Sequence, residues 1–322
     1  VTSLKSYSEL DMLNILITMC FAEKLPNSDN IFHQEGYRII SIDRTIQTSS
    51  GSIKYDLVLS SVSKNVTLCF ELKGFKASNL SNDQLDRYKG LATDEYIGLA
   101  GISSPNSMNH ELQTIIGINI ENAIRVENYQ IKEGYSFPIL NFGSKSISLS
   151  FRSLKDTQLD ERLLKSLSMQ EKHPVFIYFD KESSLSDLAY RIIPKVFSYA
   201  KVDELTFTVD QIIDDVYCSV KELHRIIGPD VKKAVINKIK QLLKKMSQEE
   251  YKDFLSWDSK QQRWNILKIN SESHHVTDMA YQRAAGTFIE RLKSGAPFTI
   301  DKVVPEGQLS IFDFEEDIEH SL

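Results

Sequence analysis

Ile53-Lys54-Tyr55-Asp56-Leu57-Val58-Leu59-Ser60 and Val66-Thr67-Leu68-Cys69-Phe70-Glu71-Leu72-Lys73 are the two runs on which the fold turns. Both read as β-strands, and polar Ser61, Ser63, Lys64 and Asn65 fill the gap between them as a hairpin connection should. Side chains alternate across a strand, so Glu71 and Lys73 project from one face of the second run. If the runs pair as a hairpin, Asp56 reaches the same patch. Two carboxylates and an ammonium then meet at one edge of the sheet.

Working outward, Gly36 to Gln47 reads as a preceding strand, and Thr48-Ser49-Ser50-Gly51-Ser52 as the turn after it. Leu4 to Leu25 reads as an amphipathic helix, with Leu10, Leu13, Ile17 and Phe21 at helical spacing and a stop at Pro26. Downstream, Ser81 opens a helix running to about Asp94, with Gln84 at the capping-box position. Tyr96 to Gly101 reads as a short apolar strand. The order is helix, three strands, helix, strand.

Further along, Ile115 to Ile120, Ile147 to Arg152 and Val175 to Phe179 read as strands, and Asp160 to Ser168 as a helix. From Ser183 the pattern is helical: Leu185 to Tyr199, Thr208 to Val220, and a long helix to Met246 opened by Pro229. Trp257 and Trp264 flank a polar turn, which predicts a β-hairpin, and a last helix follows over Thr277 to Lys293. Helices followed by a hairpin is the layout of a winged helix. The expected organisation is an α/β domain with a β-rich extension over 1–180, a helical, winged-helix-like domain over 181–300, and an acidic tail over 301–322. That tail carries seven acids against one lysine.

The Asp, Glu and Lys trio has a chemical logic. Phosphodiester hydrolysis needs a hard cation to offset charge on the phosphate and to acidify a water. Carboxylate oxygens suit Mg²⁺, with the Leu72 carbonyl as an extra ligand. A lysine beside them positions the water or stabilises developing charge. A Glu-x-Lys at a strand end also occurs as a plain solvated ion pair, so the trio alone does not decide.

The Asp56 … Glu71-Leu72-Lys73 pattern resembles the PD-(D/E)xK nuclease superfamily. The order of elements over residues 4–101 is similar to that superfamily's restriction-endonuclease-like αβββαβ core. Gln84-Leu85-Asp86-Arg87-Tyr88 matches the QxxxY motif of its RecB-like branch. Glu9 falls where many members carry a further acid near the metal. Tyr55 stands where the motif's name has proline. The resemblance implies Asp56 and Glu71 as ligands of Mg²⁺ (or Mn²⁺) and Lys73 as the catalytic lysine, with Glu9 a further catalytic acid. It implies Gln84 and Tyr88 as helix residues that face the site and contact DNA.

Composition bounds the partners. The 322 residues carry a net charge of -6, which excludes a uniformly basic nucleic-acid coat but not a local patch. Such a patch lies at Lys221–Lys245, where eight Lys/Arg, among them Lys232, Lys233 and Lys238, face two acids. These three lysines are candidates for DNA contact. No apolar run is long enough to cross a bilayer, and the first residues lack the features of a secretion signal. Cys20, Cys69 and Cys218 stand far apart without a CxxC, which excludes a four-thiolate zinc site and a four-cysteine iron–sulfur cluster. A cytoplasmic location is the simplest expectation.

The tail holds Gln308-Leu309-Ser310-Ile311-Phe312. It resembles the peptide by which bacterial DNA-processing proteins bind the sliding clamp, with Gln308, Leu309, Ile311 and Phe312 as the contacting residues. The expectation is a metal-dependent DNA nuclease of bacterial repair or phage and plasmid defence, with DNA, the clamp and other subunits of a defence or repair complex as partners. The competing expectation is a non-catalytic winged-helix DNA-binding regulator, or an interaction subunit of a DNA-processing complex.

Overall fold

The computed structural model of the chain describes residues 6–22, 29–74, 80–103, 109–169, 173–267 and 274–295, the side chains of 274–280 excepted. The clamp-like peptide Gln308–Phe312 lies outside the described residues. The chain is mixed α/β and forms two compact units, Val1–Asp180 with Cys218–Lys233, and Lys181–Tyr217 with Ala234–Leu322.

In the first unit, α1 (Glu9–Thr18) opens on Ser8, whose hydroxyl accepts from the Asp11 N–H while Asp11 bonds back in a capping box. The helix is shorter than the Leu4–Leu25 expectation within the described residues. Asn119 fixes its start, accepting from the Tyr7 N–H at 2.7 Å and donating to the Tyr7 carbonyl at 3.0 Å. After α2 (Ile31–Gln34) come β1 (Arg38–Thr48), β2 (Gly51–Ser61) and β3 (Val66–Lys73), paired antiparallel in sequence. All eight residues of β3 are buried, as expected of a strand covered on both faces.

Residues 81–101 depart from expectation. They form two helices, α3 (Asn82–Lys89) and α4 (Thr93–Ala100), so the strand expected at Tyr96–Gly101 is helical. Tyr96, Ile97 and Ala100 are the buried face of α4, a helical spacing that a six-residue apolar run disguises. Gly101, at φ +70°, ends it: its N–H donates to the Gly98 carbonyl and the Ile102 N–H to that of Ile97. The parallel strand beside β3 is β4 (Glu111–Asn119). Past a 3₁₀ turn and α5 (Ala123–Glu133) come β5 (Ile139–Phe142), β6 (Ser146–Ser150), α6 (Thr157–Leu164) and β7 (Leu167–Ser168). The seven strands lie in sequence order, with β3, β4 and β5 parallel and the outer pairings antiparallel.

The strand expected at Val175–Phe179 is reduced to one bridge, Ile177 to Cys218. Its backbone groups are taken elsewhere: Phe176 and Ile177 donate their N–H groups to Asn14 Oδ1 at 2.7 and 2.9 Å, and Ser219 donates to the Phe176 carbonyl. A side-chain amide in the middle of α1 thus does the work of a neighbouring strand.

The second unit contains α7 (Leu185–Lys201), β8 (Thr206–Phe207) and α8 (Val209–Val216). The helix expected from Thr208 to Val220 stops early, and α9 (Lys221–Ile226) is a separate helix of the first unit. α10 (Pro229–Gln248) begins in the first unit and continues into the second. The hairpin β9 (Leu255–Asp258) and β10 (Arg263–Ile266) and the helix α11 (His274–Ser294) complete the second unit. Its small antiparallel sheet has the order β8-β10-β9. Ile239, Leu242, Leu243 and Met246 of α10 are fully buried, as are Tyr251 and Phe288, whose rings meet edge-on with centroids 5.9 Å apart.

Candidate functional site

The site lies where β2 and β3 part. Their ladder stops at Leu57↔Phe70. Upstream, Ile53, Tyr55 and Val58 all lie in one apolar cluster with Tyr88 and Tyr96, so the alternation of β2 slips by one between Tyr55 and Val58. Asp56 stands at that slip. Its Oδ2 accepts the Leu72 N–H at 2.6 Å, replacing the strand carbonyl that the Leu72 donor lacks. The Asp56 carboxylate therefore sits against β3 between Glu71 and Lys73. β3 is an interior strand, third of seven, so this cluster is at a strand end within the sheet and not at the sheet's edge as its sequence suggested.

Glu71 is 4% exposed, and both its oxygens are engaged. Oε1 pairs with the Lys73 ammonium at 2.5 Å, and Oε2 lies 2.6 Å from the Tyr88 hydroxyl. Gln84 and Tyr88, four apart on α3, share a face, and the Gln84 amide donates to the Tyr88 hydroxyl at 2.7 Å. Tyr88 is buried, with its ring stacked on Tyr55 at 4.5 Å between centroids. The hydroxyl so engaged orients Glu71; Tyr88 is 5% exposed and Gln84 half-buried. Glu9, on the first turn of α1, is 3.5 Å from the Gly74 N–H that follows β3.

The charges interact strongly. Asp56 keeps some accessible surface, yet its carboxylate is deep enough that burial is the largest influence on it. Burial, then the Glu71 and Asp43 charges, raise its pKa well above the ordinary aspartate value, against the Leu72 hydrogen bond and Lys73. Burial works against the Lys73 ammonium, but Glu71, and then Asp56 and Glu9, outweigh it and raise the lysine pKa. Two further groups belong here that the sequence did not disclose. Asp43 of β1 pairs with Lys54 of β2 at 2.5 Å. The one local signal was the alternation that puts Lys54 two residues before Asp56.

The basic patch is divided between the units. Lys232 and Lys233 belong to the first, half-buried and exposed respectively, and Lys238 to the second. The Lys238 ammonium donates to the carbonyls of Lys181 and Ser183, the latter at 2.7 Å, and so ties down the start of its own unit.

A family model for the MJECL32 domain matches residues 8–179, over half of the 322-residue chain. The chain belongs to the MJECL32 domain family. The matched span of this MJECL32 chain contains Glu9, Asp43, Lys54, Asp56, Glu71, Lys73, Gln84 and Tyr88. No curated protein matches the chain, and no solved structure matches it. Among its described residues, no helix is long and apolar enough to cross a membrane.

Proposed function

We propose that the MJECL32 domain of this chain is a metal-dependent DNA nuclease of the PD-(D/E)xK type. The observation that carries the reading is the Asp56 Oδ2 to Leu72 N–H contact at 2.6 Å, which joins three residues separated in sequence into one cluster. The helix, three antiparallel strands, helices and parallel strand around it fit the restriction-endonuclease-like core.

The donor set fits a hard divalent cation. Asp56, Glu71 and the Leu72 carbonyl offer oxygen alone, and Glu71 raises the Asp56 pKa by repulsion that a cation relieves. Among the described residues no group of three or more His, Cys, Asp or Glu could hold a metal unaided. Two carboxylates suit Mg²⁺ or Mn²⁺, since Mg²⁺ keeps several waters and takes few protein ligands. A cation held there supplies positive charge against the phosphate and lowers the pKa of water.

The chain's own groups do the rest. Lys73, with its raised pKa, stays protonated at neutral pH. It is placed to position the water or to stabilise the oxygen on which charge develops. Tyr88 and Gln84 hold Glu71 in one orientation, and Glu9 adds to the field on Lys73. The helix, strand, helices and hairpin of the second unit suit a winged-helix-like binding module, with the exposed Lys240 of α10 toward phosphate.

The test is incubation with linear, circular and single-stranded DNA in Mg²⁺ or Mn²⁺, beside EDTA and the Glu71→Ala and Lys73→Ala variants. Cleavage is expected that EDTA and either substitution abolish while folding survives. Full activity in either variant removes the assignment. DNA binding without cleavage, unchanged by EDTA, selects the regulator instead.

A further inference from the structure

The reading above employs one lysine, yet the cluster contains two. Lys54 enters β2 two residues before Asp56, and its side chain is 28% exposed where that of Lys73 is 11%. Lys54 is therefore the more accessible of the two ammonium groups. The backbone of Lys54 is tied to the acids, because its carbonyl lies 2.7 Å from the same Tyr88 hydroxyl that bonds Glu71.

Asp43 is held from the other side. It sits in the left-handed region at φ +51°, an interruption in β1. The neighbouring Ile42 carbonyl accepts the Gly228 N–H at 2.8 Å, and Ile42 bridges to Ile227. A Cβ on Gly228 would lie 2.2 Å from the Asp43 carbonyl oxygen, so the two backbones are in tight contact. Asp43 is thus anchored by its backbone, whereas the Lys54 ammonium swings on a flexible four-carbon stem.

We propose that Lys54 is a second phosphate-contacting residue of the site, which exchanges Asp43 for a non-bridging oxygen of a backbone phosphate, and that Asp43 is the positioning residue holding the ammonium beforehand. The identity of that anion as nucleic acid rests on the nuclease reading. The pair is only partly buried, and a phosphate oxygen replaces one oxygen anion at the ammonium by another, so the exchange leaves no charge unpaired on the lysine. Asp56 and Glu71 act on both lysines, but Lys73 is the more buried, its side chain 11% exposed against Glu71.

The test uses the full chain and a fluorescent duplex in Ca²⁺, with binding followed over a salt series, and steady-state cleavage in Mg²⁺. Lys54→Met should flatten the plot of log K against log salt by about one unit of slope. It should raise KM about tenfold or more with a smaller change in kcat. Lys54→Arg should restore both, and Asp43→Asn, which keeps the ammonium but removes the anion that holds it, should raise KM in the wild-type background and not further in Lys54→Met; an unchanged KM in Asp43→Asn removes the positioning role. A wild-type slope and KM in Lys54→Met, or an arginine variant as impaired as the methionine one, overturns the proposal. If the wild type cleaves nothing but Lys54→Met still loses the slope, the nuclease reading falls and the phosphate contact stands. If the wild type cleaves and Lys54→Met is indistinguishable, the reverse holds. A wild type that binds no duplex at any salt overturns both.

Discussion

Tyr88→Phe isolates the orientation of Glu71. Phenylalanine keeps the ring on Tyr55, where the stacking centroids are 4.5 Å apart, so no large cavity opens. What disappears is one oxygen with three neighbours: Glu71 Oε2 at 2.6 Å, the Lys54 carbonyl at 2.7 Å and the Gln84 amide at 2.7 Å. A hydroxyl has one proton, so it satisfies one of the two acceptors at a time. The principal loss is a hydrogen bond to a buried carboxylate, worth about 2 kcal/mol. For a unit of this size that lowers the melting temperature by about 4–8 °C. Urea unfolding should show a lower midpoint at an unchanged slope, since the buried surface is the same. The cost should shrink in a Glu71→Gln background, with a coupling of about 1 kcal/mol or more. A melting temperature within about 1 °C of wild type, or strict additivity in the double-mutant cycle, refutes the reasoning.

Three further outcomes follow from the same geometry. Burial and the Glu71 and Asp43 charges raise the Asp56 pKa, so its contribution to stability is full below the unfolded aspartate's pKa and lost as pH rises through the folded one. Asp56→Asn keeps an oxygen for Leu72 and carries no charge; in EDTA it should melt above wild type at neutral pH, with the gap closing on acidification, and equal melting at neutral pH counts against it. Gly228→Ala drives a Cβ to 2.2 Å from the Asp43 carbonyl oxygen and should cost about 1–3 kcal/mol in denaturant melts, whereas a neutral result would mean that this backbone contact yields freely. Lys64→Met removes the ammonium that bridges Glu35 at 2.5 Å and Asp156 at 2.7 Å; with Asp156 only 4% exposed, a loss of about 3 kcal/mol is expected, and under about 1 kcal/mol would show the network to be dispensable.

Much of the site was legible because its signals are local. The Glu71-Leu72-Lys73 spacing puts two charges on one strand face, and the four-residue step from Gln84 to Tyr88 puts both on one helix face. Asp43 was not legible, and Lys54 only by its place two residues before Asp56. Asp43 takes its place through a left-handed residue inside a strand and a glycine 185 positions later in the chain, and no periodicity encodes that contact. The Tyr96–Gly101 segment misled for the opposite reason: a short apolar run has too few residues to separate a helical from a strand period, and the cap at Gly101 settled it. Val175–Phe179 has strand composition, but Asn14 takes the Phe176 and Ile177 N–H groups and a single bridge to Cys218 remains.

Local patterning alone determined the first helix, the three strands β1 to β3, the helix after Ser81, the long helix after Pro229, the hairpin around the tryptophans and the residue types that meet at the end of β3. These depend on side-chain alternation, capping and turn chemistry within a few residues of one another. The tertiary structure decided the rest: the interior position of β3, the slip in β2 that lets Asp56 accept from Leu72, the burial of Tyr88 against Glu71, and the second lysine held by Asp43. Each of those is a contact between distant segments, where hydrogen-bond satisfaction and close packing select among conformations that the local chain allows equally.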